Sequence, residues 1–235
     1  MEVEALQKWF EGIWEVREEK FFRQWFGTLG ESVYTLPKKV FEGMGMEEVD
    51  PRFLFHGVFE CPPVGGRNDW VYVSSGMSNA WGETPETADA AGVSGLGFEF
   101  VLHTRERQRW AIELMHWLMA VQLGVACGRL QGDFIQRNDR VGIGRGIPLK
   151  SGPGLITHLL ATSGEEAIAA GGGVSGVTYP AEFSLETGRV EMLLLIGITE
   201  REREFAQVQG VEGLVTLLRH QGIFPLTRPE RASAV

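Results

Sequence analysis

Histidines are the side chains of this chain best suited to acid–base chemistry. Five are present: His56, His103, His116, His158 and His220. None stands in an HxH or HExxH spacing, so the sequence predicts no metal site. His103 and His158 fall on predicted strands and could meet in a sheet near Glu99 or Glu113. One of them could then act as a general base; the alternative is a buried histidine that hydrogen-bonds to the backbone or to a carboxylate.

Serines and glycine-rich loops could support two other chemistries. A nucleophile elbow needs a glycine two residues on either side of the serine, at a turn from strand to helix. Ser74, Ser75 and Ser78 stand at a strand end without that arrangement, which favours structural hydroxyl groups. The segment Gly142–Gly146 lacks the Lys-Ser/Thr of a phosphate-binding loop and precedes Ile147-Pro148 rather than a helix. The sequence therefore predicts no nucleotide and no other cofactor.

Two helices with apolar stripes are predicted to position these side chains. Residues 4–26 carry an aromatic stripe at helical spacing, with Gly12 as a candidate break. The stripe predicts core packing, and a partner-binding face is the alternative. Residues 109–126 are apolar on nearly every side, which predicts a helix buried nearly all round.

The remaining elements are predicted to be strands and short connections. Extended segments are expected at 33–36, 53–60, 70–75, 98–103, 133–136 and 155–162, with a hairpin formed by 177–185 and 189–199. Residues 190–196 are apolar on both faces, which indicates a central strand covered on both sides. Loops are predicted at 77–93 and 163–176.

The C-terminal part has a clear helix start. Thr199 and Glu202 form a capping box that opens a helix to about residue 209, and a second helical piece follows at 211–219. Pro225 and Pro229 then predict a frayed tail over residues 225–235.

Composition excludes several classes of function. The 235 residues carry a net charge of −9, which argues against a nucleic-acid partner. The acidic start lacks the features of a signal peptide, and no apolar run is long enough to cross a membrane. Cys61 and Cys127 fit reduced thiols. We therefore expect a cytoplasmic protein that forms a single domain over residues 1–235.

Six short blocks, in this order, resemble the suppressor of fused family. They are Tyr72–Ser78, Ser94–Phe100, Trp110–Leu114, Gln131–Asp133, Ile156–Leu160 and Ile196–Glu200. The second block matches the family's S-G-[FLW]-G-F-E-[LF] pattern nearly residue for residue, and the resemblance runs from about residue 53 to residue 218. It implies an α+β fold with a mixed β-sheet packed against helices, and no known catalytic activity.

The resemblance also implies a kind of partner. In animal members a second domain follows, and the two close on an extended peptide from a Gli transcription factor, which adds as a strand. The aspartate of the G-D motif helps hold that peptide, and Asp133 matches it here. Only the N-terminal domain is matched, so Gli itself is not expected, and residues 137–146 look like an insertion. Stand-alone bacterial members are thought to be immunity proteins that neutralise a polymorphic toxin.

We therefore predict a non-enzymatic protein-binding domain, an immunity protein or regulator, whose partner is a toxin domain or a regulatory protein. The predicted binding segment is an open strand formed by Asp133, Phe134, Ile135 and Gln136, with Asp133 holding a basic residue of the partner. Alternatively, Asp133 is a solvated charge or pairs with a neighbouring arginine (Arg129, Arg137 or Arg140). The competing function is a small hydrolase that uses a histidine–carboxylate pair.

Overall fold

A mixed β-sheet organises the computed structural model, which describes residues 3–149, 152–163 and 179–235. The main sheet has eight strands in the order β1-β2-β3-β4-β10-β8-β5, and β9 pairs with β10 outside that path. The β4–β10 pair is parallel and the others are antiparallel. The strands are β1 (Tyr34–Thr35), β2 (Gly57–Cys61), β3 (Trp70–Ser75), β4 (Val93–Thr104), β5 (Arg140–Gly142), β6 (Pro148–Leu149), β7 (Gly152–Pro153), β8 (Ile156–Ser163), β9 (Glu182–Leu185) and β10 (Gly188–Thr199). Strands β6 and β7 form a separate small sheet.

Helices cover both faces of this sheet. They are α1 (Val3–Glu15), a π-helical segment (Val16–Phe22), α2 (Arg23–Phe26), α3 (Lys38–Glu42), a 3-10 segment (Pro51–Phe55), α4 (Arg109–Ala126) and α5 (Glu200–His220). Helix α5 is kinked at Gly210, where φ is +80°, so the two helical pieces expected after Thr199 are confirmed as two halves of one element. The predicted capping box of Thr199 and Glu202 is also present. Among the described residues, we find no helix long and apolar enough to span a bilayer.

Strand β10 is the central strand that its apolar sequence predicts. Leu193 and Leu195 are fully buried in the core cluster that includes α4. Leu194 and Ile196, which point to the opposite face, are fully buried against residues of α5. Because side chains alternate along a strand, a run that is apolar on both faces needs a cover on both sides. The α+β fold with a mixed sheet packed against helices is confirmed.

Helix α4 begins and ends at the predicted residues, Arg109 and Ala126. Its inner face is fully buried, with Met115, Leu118 and Met119 inaccessible to solvent. The prediction that it is buried nearly all round is wrong, because one apolar stripe stays partly exposed. We call this set the α4 stripe: Trp110, Leu114, Trp117, Val121 and Val125.

The N-terminal helix is continuous through Gly12, so the break expected there is wrong. The irregularity lies further along, in the π-helical turns of Val16–Phe22. The aromatic stripe packs into the core as predicted, since Phe22 and Phe26 are fully buried against strands β3 and β4.

Two of the predicted extended segments are helical or irregular instead. Pro51–Phe55 is a 3-10 segment because the Asp50 side chain accepts a hydrogen bond from the Arg52 N–H and Pro51 stands at the first helical position. Only the second half of the strand predicted at 53–60 forms, as β2. Residues 133–136 belong to no strand, and the short strand of this region is β5, further along the chain.

The predicted hairpin is confirmed in its β9–β10 part, around the turn at Glu186–Thr187. Residues 177–178 of its first strand, and 164–176 of the predicted loop, lie outside the described residues, and Ser163 belongs to β8.

The C-terminal tail is packed on the sheet, so the frayed tail expected over 225–235 is wrong. Leu226 is fully buried and forms a parallel bridge with His103. The Thr227 N–H donates to the His103 carbonyl (2.8 Å). Arg231 pairs with Glu202, which is 0% exposed. Helix α5 ends at His220, before the two prolines, and the prolines do not prevent the residues between and after them from hydrogen-bonding to the sheet.

Candidate functional site

The blocks that carry the family resemblance build a buried polar network at the ends of β3 and β4. The Glu99 carboxylate is 0% exposed and accepts four hydrogen bonds from the β3 end. The donors are the hydroxyl groups of Ser74 (2.5 Å) and Ser78 (2.6 Å) and the backbone N–H groups of Gly76 and Ser78 (both 3.0 Å). A buried carboxylate needs such donors, because an unpaired charge in the interior costs several kcal/mol.

Arg17 from the π-helical segment supplies the positive charge of this network. It is 2% exposed, and its Nη1 lies 3.8 Å from the Glu99 Oε1. The same guanidinium donates to Ser75 Oγ (2.7 Å) and to Asn79 Oδ1 (2.8 Å). The network therefore ties the N-terminal helix to the motif residues of two strands.

Two glycines of the motif allow this close approach. A Cβ at Gly95 would lie 2.6 Å from the Asn79 carbonyl oxygen, and its φ is +56°. A Cβ at Gly76 would lie 2.7 Å from the His56 ring. Any other residue would push the two strand ends apart. The motif serines and glycines are therefore structural, in agreement with the structural role expected for the hydroxyl groups.

Sequence reasoning missed Arg17, although one signal marks it. Ile13, Arg17 and Phe21 follow one another at intervals of four residues, which places a charged residue on the apolar face of the N-terminal helix. A charge on a buried helix face calls for a buried counter-charge, and Glu99 on an apolar strand was the matching candidate.

His103 and His158 do not meet. They stand on β4 and β8, which are separated by β10. His103 is fully buried, with its Nδ1 2.5 Å from Asp69 Oδ2 and its Nε2 3.3 Å from the Tyr179 hydroxyl. This is a histidine–carboxylate pair, but with Asp69 rather than Glu99 or Glu113. All three side chains are at most 1% exposed, so no substrate can reach them.

His158 is partly exposed and lies beside a carboxylate. Its Nδ1 lies 3.0 Å from Thr157 Oγ1 and 3.3 Å from the Glu200 carboxylate. Thr157 and Glu200 lie at the same ring nitrogen, and His158 with Glu200 forms a second histidine–carboxylate pair. Burial lowers the pKa of His158, against the opposing effect of Glu200. Within the described ranges, no cluster of three or more metal-binding side chains occurs.

An apolar groove runs along the α4 stripe. At its N-terminal half, a cavity of about 530 Å³ lies between Trp110, Leu114 and the 143–148 segment. At its C-terminal half, a second cavity of about 470 Å³ lies between Val121, Val125 and the residues that lead into β5. Trp117 lines both cavities. We call the two together the α4 groove. Its floor is apolar and its walls carry Asp133, Asp139, Arg140 and Arg203.

The four predicted binding residues differ in their exposure and in their hydrogen bonds. Asp133 and Phe134 are exposed and line the α4 groove. The Ile135 side chain is buried in the core, and its N–H donates to Gln122 Oε1 (2.8 Å). Gln136 is exposed, and its N–H donates to Asp139 Oδ2 (2.8 Å). The strand predicted over these residues is wrong, because side chains rather than a β-ladder take up their backbone N–H groups.

Asp133 has no ion pair with the three arginines near it in sequence. Arg129 pairs instead with Glu48 (3.8 Å). Arg137 and Arg140 have no ion pair within the part of the chain that the structure describes. The Asp133 carboxylate therefore remains available at the wall of the groove.

Strand β5 presents an open edge beside this groove. Within the described residues it pairs only with β8, and it ends the strand order. Ala161 N–H donates to the Asp139 carbonyl and Ile143 N–H donates to the Thr157 carbonyl. Since bonded and non-bonded pairs alternate in an antiparallel ladder, the N–H and C=O groups of Arg140 and Gly142 point away from β8. Over the described ranges, these outward groups have no hydrogen-bond partner.

These features define an α+β domain whose motif residues are structural and whose mixed sheet ends, within the described residues, at the open edge of β5. The sequence model described as suppressor of fused protein (SUFU) matches residues 56–232, and the chain belongs to this family. The match extends beyond the residue 218 expected from the motifs and takes in most of the packed tail.

Solved structures have the same fold. A suppressor of fused homolog from Neisseria gonorrhoeae superposes with a TM-score of 0.58 at 20% identity, covering 94% of this chain and 97% of that one. A chain of the Sufu-Fu complex gives 0.58 at 16% identity, covering 98% and 92%. Drosophila Suppressor of Fused gives 0.51 at 17% identity, covering 76% of this chain but 42% of the Drosophila chain. A search of curated proteins gives no match.

Proposed function

We propose that this chain is a non-enzymatic protein-binding domain that accepts an extended segment of its partner on the edge of β5. The observation that carries this proposal is the pair of unpaired backbone positions at Arg140 and Gly142 beside the α4 groove. An incoming strand satisfies outward N–H and C=O groups without needing a pocket for chemistry. Membership of a family that includes a solved Sufu-Fu complex supports a protein partner.

The α4 groove supplies the selectivity that backbone hydrogen bonds lack. On one face of an added strand, alternate side chains would enter the groove and contact Trp117 and Val121. Asp133 stands at the groove wall and has no ion pair with another described residue, so it would hold a basic residue of the partner. The opposite sheet edge, β1, is two residues long against three in β5, and its residues do not line the α4 groove.

The partner is a toxin domain or a regulatory protein, and the chain acts in the cytoplasm as an immunity protein or regulator. The immunity role predicts the outcome of a co-expression experiment. If the product of the adjacent gene is toxic when expressed alone, co-expression of this chain restores growth. Growth arrest that persists with the chain present at equal or higher abundance would contradict the immunity role while leaving strand addition open.

Titration calorimetry against the neighbouring gene product tests the binding surface. Arg140→Pro removes an outward N–H that only an added strand would use, whereas Arg140→Ala removes the side chain and keeps the N–H. We expect Arg140→Pro to weaken binding at least tenfold and Arg140→Ala to have a smaller effect. Asp133→Arg should weaken binding by 10-fold or more, about 1.4 kcal/mol per decade.

The matched control is Glu47→Arg, which makes the same change of charge at an exposed position that does not line the groove. It should bind like the wild type, and all variants should keep the wild-type melting temperature within a few degrees. Equal affinity of the wild type, Asp133→Arg and Arg140→Pro would remove this edge from the function.

A further inference from the structure

Three aromatic rings form a second exposed surface, away from the α4 groove. Trp14 comes from α1, Phe55 from the 3-10 segment and Trp81 from the loop after β3. Their ring centroids lie 6.1 Å (Trp14–Phe55), 6.0 Å (Trp14–Trp81) and 6.2 Å (Phe55–Trp81) apart. We call this trio the aromatic patch. Three distant parts of the chain converge to build it, so its geometry is fixed by the fold.

The aromatic patch is exposed although it rests on the core. Phe55 is 64% exposed, while Trp14 and Trp81 are partly buried. Beneath them, the buried rings of Phe10 (5.1 Å) and His56 (6.4 Å) contact Trp81. An aromatic group left exposed at the surface forgoes much of the free energy that its burial would contribute. Rigid exposed aromatic side chains of this kind are enriched at protein–protein interfaces.

Polar groups at the patch are also incompletely satisfied. Within the described part of the chain, the indole N–H groups of Trp14 and Trp81 have no hydrogen-bond partner. The same holds for Oε2 of Glu83, two residues beyond Trp81. Burial, with a smaller contribution from Asp89, raises the pKa of the Glu83 carboxyl group. A cation placed beside this carboxylate would relieve that cost.

The charges next to the patch are predominantly negative. Glu83 and Glu86 follow Trp81 in the same loop, and both are at least partly exposed. The nearby arginines are already engaged, since Arg17 belongs to the buried network and Arg52 pairs with Asp50 (2.6 Å). Aromatic faces flanked by carboxylates attract arginine and lysine side chains through cation–π and ion-pair interactions.

We propose that the aromatic patch is a second docking surface, which binds a basic segment of a partner protein through an arginine or lysine stacked on Phe55 and Trp81. Glu83 supplies the opposing charge. This surface is independent of strand addition at β5 and requires no residue of the α4 groove.

A defined peptide tests the proposal without knowledge of the partner. The probe is a capped nine-residue peptide of alternating arginine and alanine, and the two comparison peptides carry glutamate or leucine in place of arginine. Two-dimensional NMR of the 15N-labelled chain follows the indole N–H signals, assigned with Trp14→Phe and Trp81→Phe. We expect saturable shifts of these two signals with the arginine peptide, weaker at higher salt, and none with the glutamate peptide.

Variants locate the site. Phe55→Ser should weaken binding of the arginine peptide at least tenfold, and Glu83→Gln several-fold, with the fold unchanged by circular dichroism. The matched control is Leu155→Ser, because Leu155 is 60% exposed and lies elsewhere; it should bind like the wild type. Equal binding of the leucine peptide, absence of saturable shifts at 1 mM, or full binding by Phe55→Ser would each overturn the proposal.

Discussion

Arg17 and Glu99 face each other in the interior, with 3.8 Å between Nη1 and Oε1 and neither side chain more than 2% exposed. One belongs to the N-terminal helix and the other to the strand motif of the family. Glu99 depends on this pair, because its charge would lose its counter-charge in the interior without Arg17, whereas Arg17 also pairs with Glu18 (3.1 Å).

Breaking this pair should be strongly destabilising. Arg17→Met should lower the free energy of unfolding by about 3–5 kcal/mol, since Glu99 keeps its hydrogen bonds but loses its counter-charge. Urea denaturation measures the change. The control is Arg23→Met, which removes an exposed pair with Glu19 and should cost less than about 1 kcal/mol. Similar losses in both variants would show that the buried pair contributes no more than a surface one.

His56 should make the protein less stable in mild acid. Burial, with the Arg17 charge as a lesser cause, lowers its pKa from 6.5 to about 4. As the pH falls from 6.5, the unfolded chain binds a proton at this residue before the folded chain does. The free energy of unfolding should therefore fall by about 3 kcal/mol between pH 6.5 and pH 4 from this group alone.

The difference between variants isolates that contribution. His56→Gln removes the titration and should flatten the pH dependence over this range, whereas His220→Gln, at an exposed residue, should leave it as in the wild type. Parallel stability–pH curves for the wild type and His56→Gln would contradict the assignment.

The C-terminal tail should be required for full stability. Burial alone would raise the pKa of Glu202, but bonds from Arg231, the Thr199 N–H and the Ala234 N–H lower it below its usual value. Arg231→Met should cost about 3 kcal/mol in urea denaturation, because it leaves the Glu202 charge buried without its cation. The control is Arg109→Met, which removes the ion pair with Glu113; the Arg109 side chain is 89% exposed. This variant should change the free energy of unfolding little.

The two faces of α4 should respond differently to truncation. Leu118 is fully buried, so Leu118→Ala should cost about 2–5 kcal/mol. Val121 belongs to the α4 stripe, so Val121→Ala should cost less than half as much and should weaken binding of the partner. A larger stability loss at Val121 than at Leu118, measured by thermal and urea denaturation, would mean that the stripe is core and not a binding surface.

Sequence patterns correctly predicted parts of α4, β10 and α5. The ends of α4 and the central position of β10 follow from apolar periodicity, and the start of α5 follows from its capping box. The family motifs were found, but their role was not: Ser78 and Glu99 meet only because β3 and β4 pair, which is a tertiary relationship.

Other features depended on packing that no local pattern records. Phe53 and Phe55 alternate like strand residues, but they lie in a 3-10 segment because the Asp50 side chain caps its start. Pro225 and Pro229 suggested disorder, yet Leu226 is buried between them. The exposure of the α4 stripe could not be predicted, because it depends on where the 143–148 segment crosses the helix.

The central position of β10 also affects how the chain reaches its fold. Its parallel pairing with β4 joins Val93 to Arg189 and Phe98 to Glu191, so most of the chain must be synthesised before the two halves of the sheet can be joined. Until then, the β4 edge that β10 will cover is an unpaired, largely apolar strand. Pairings between such distant residues form slowly, and we expect the nascent chain to aggregate most readily in this interval.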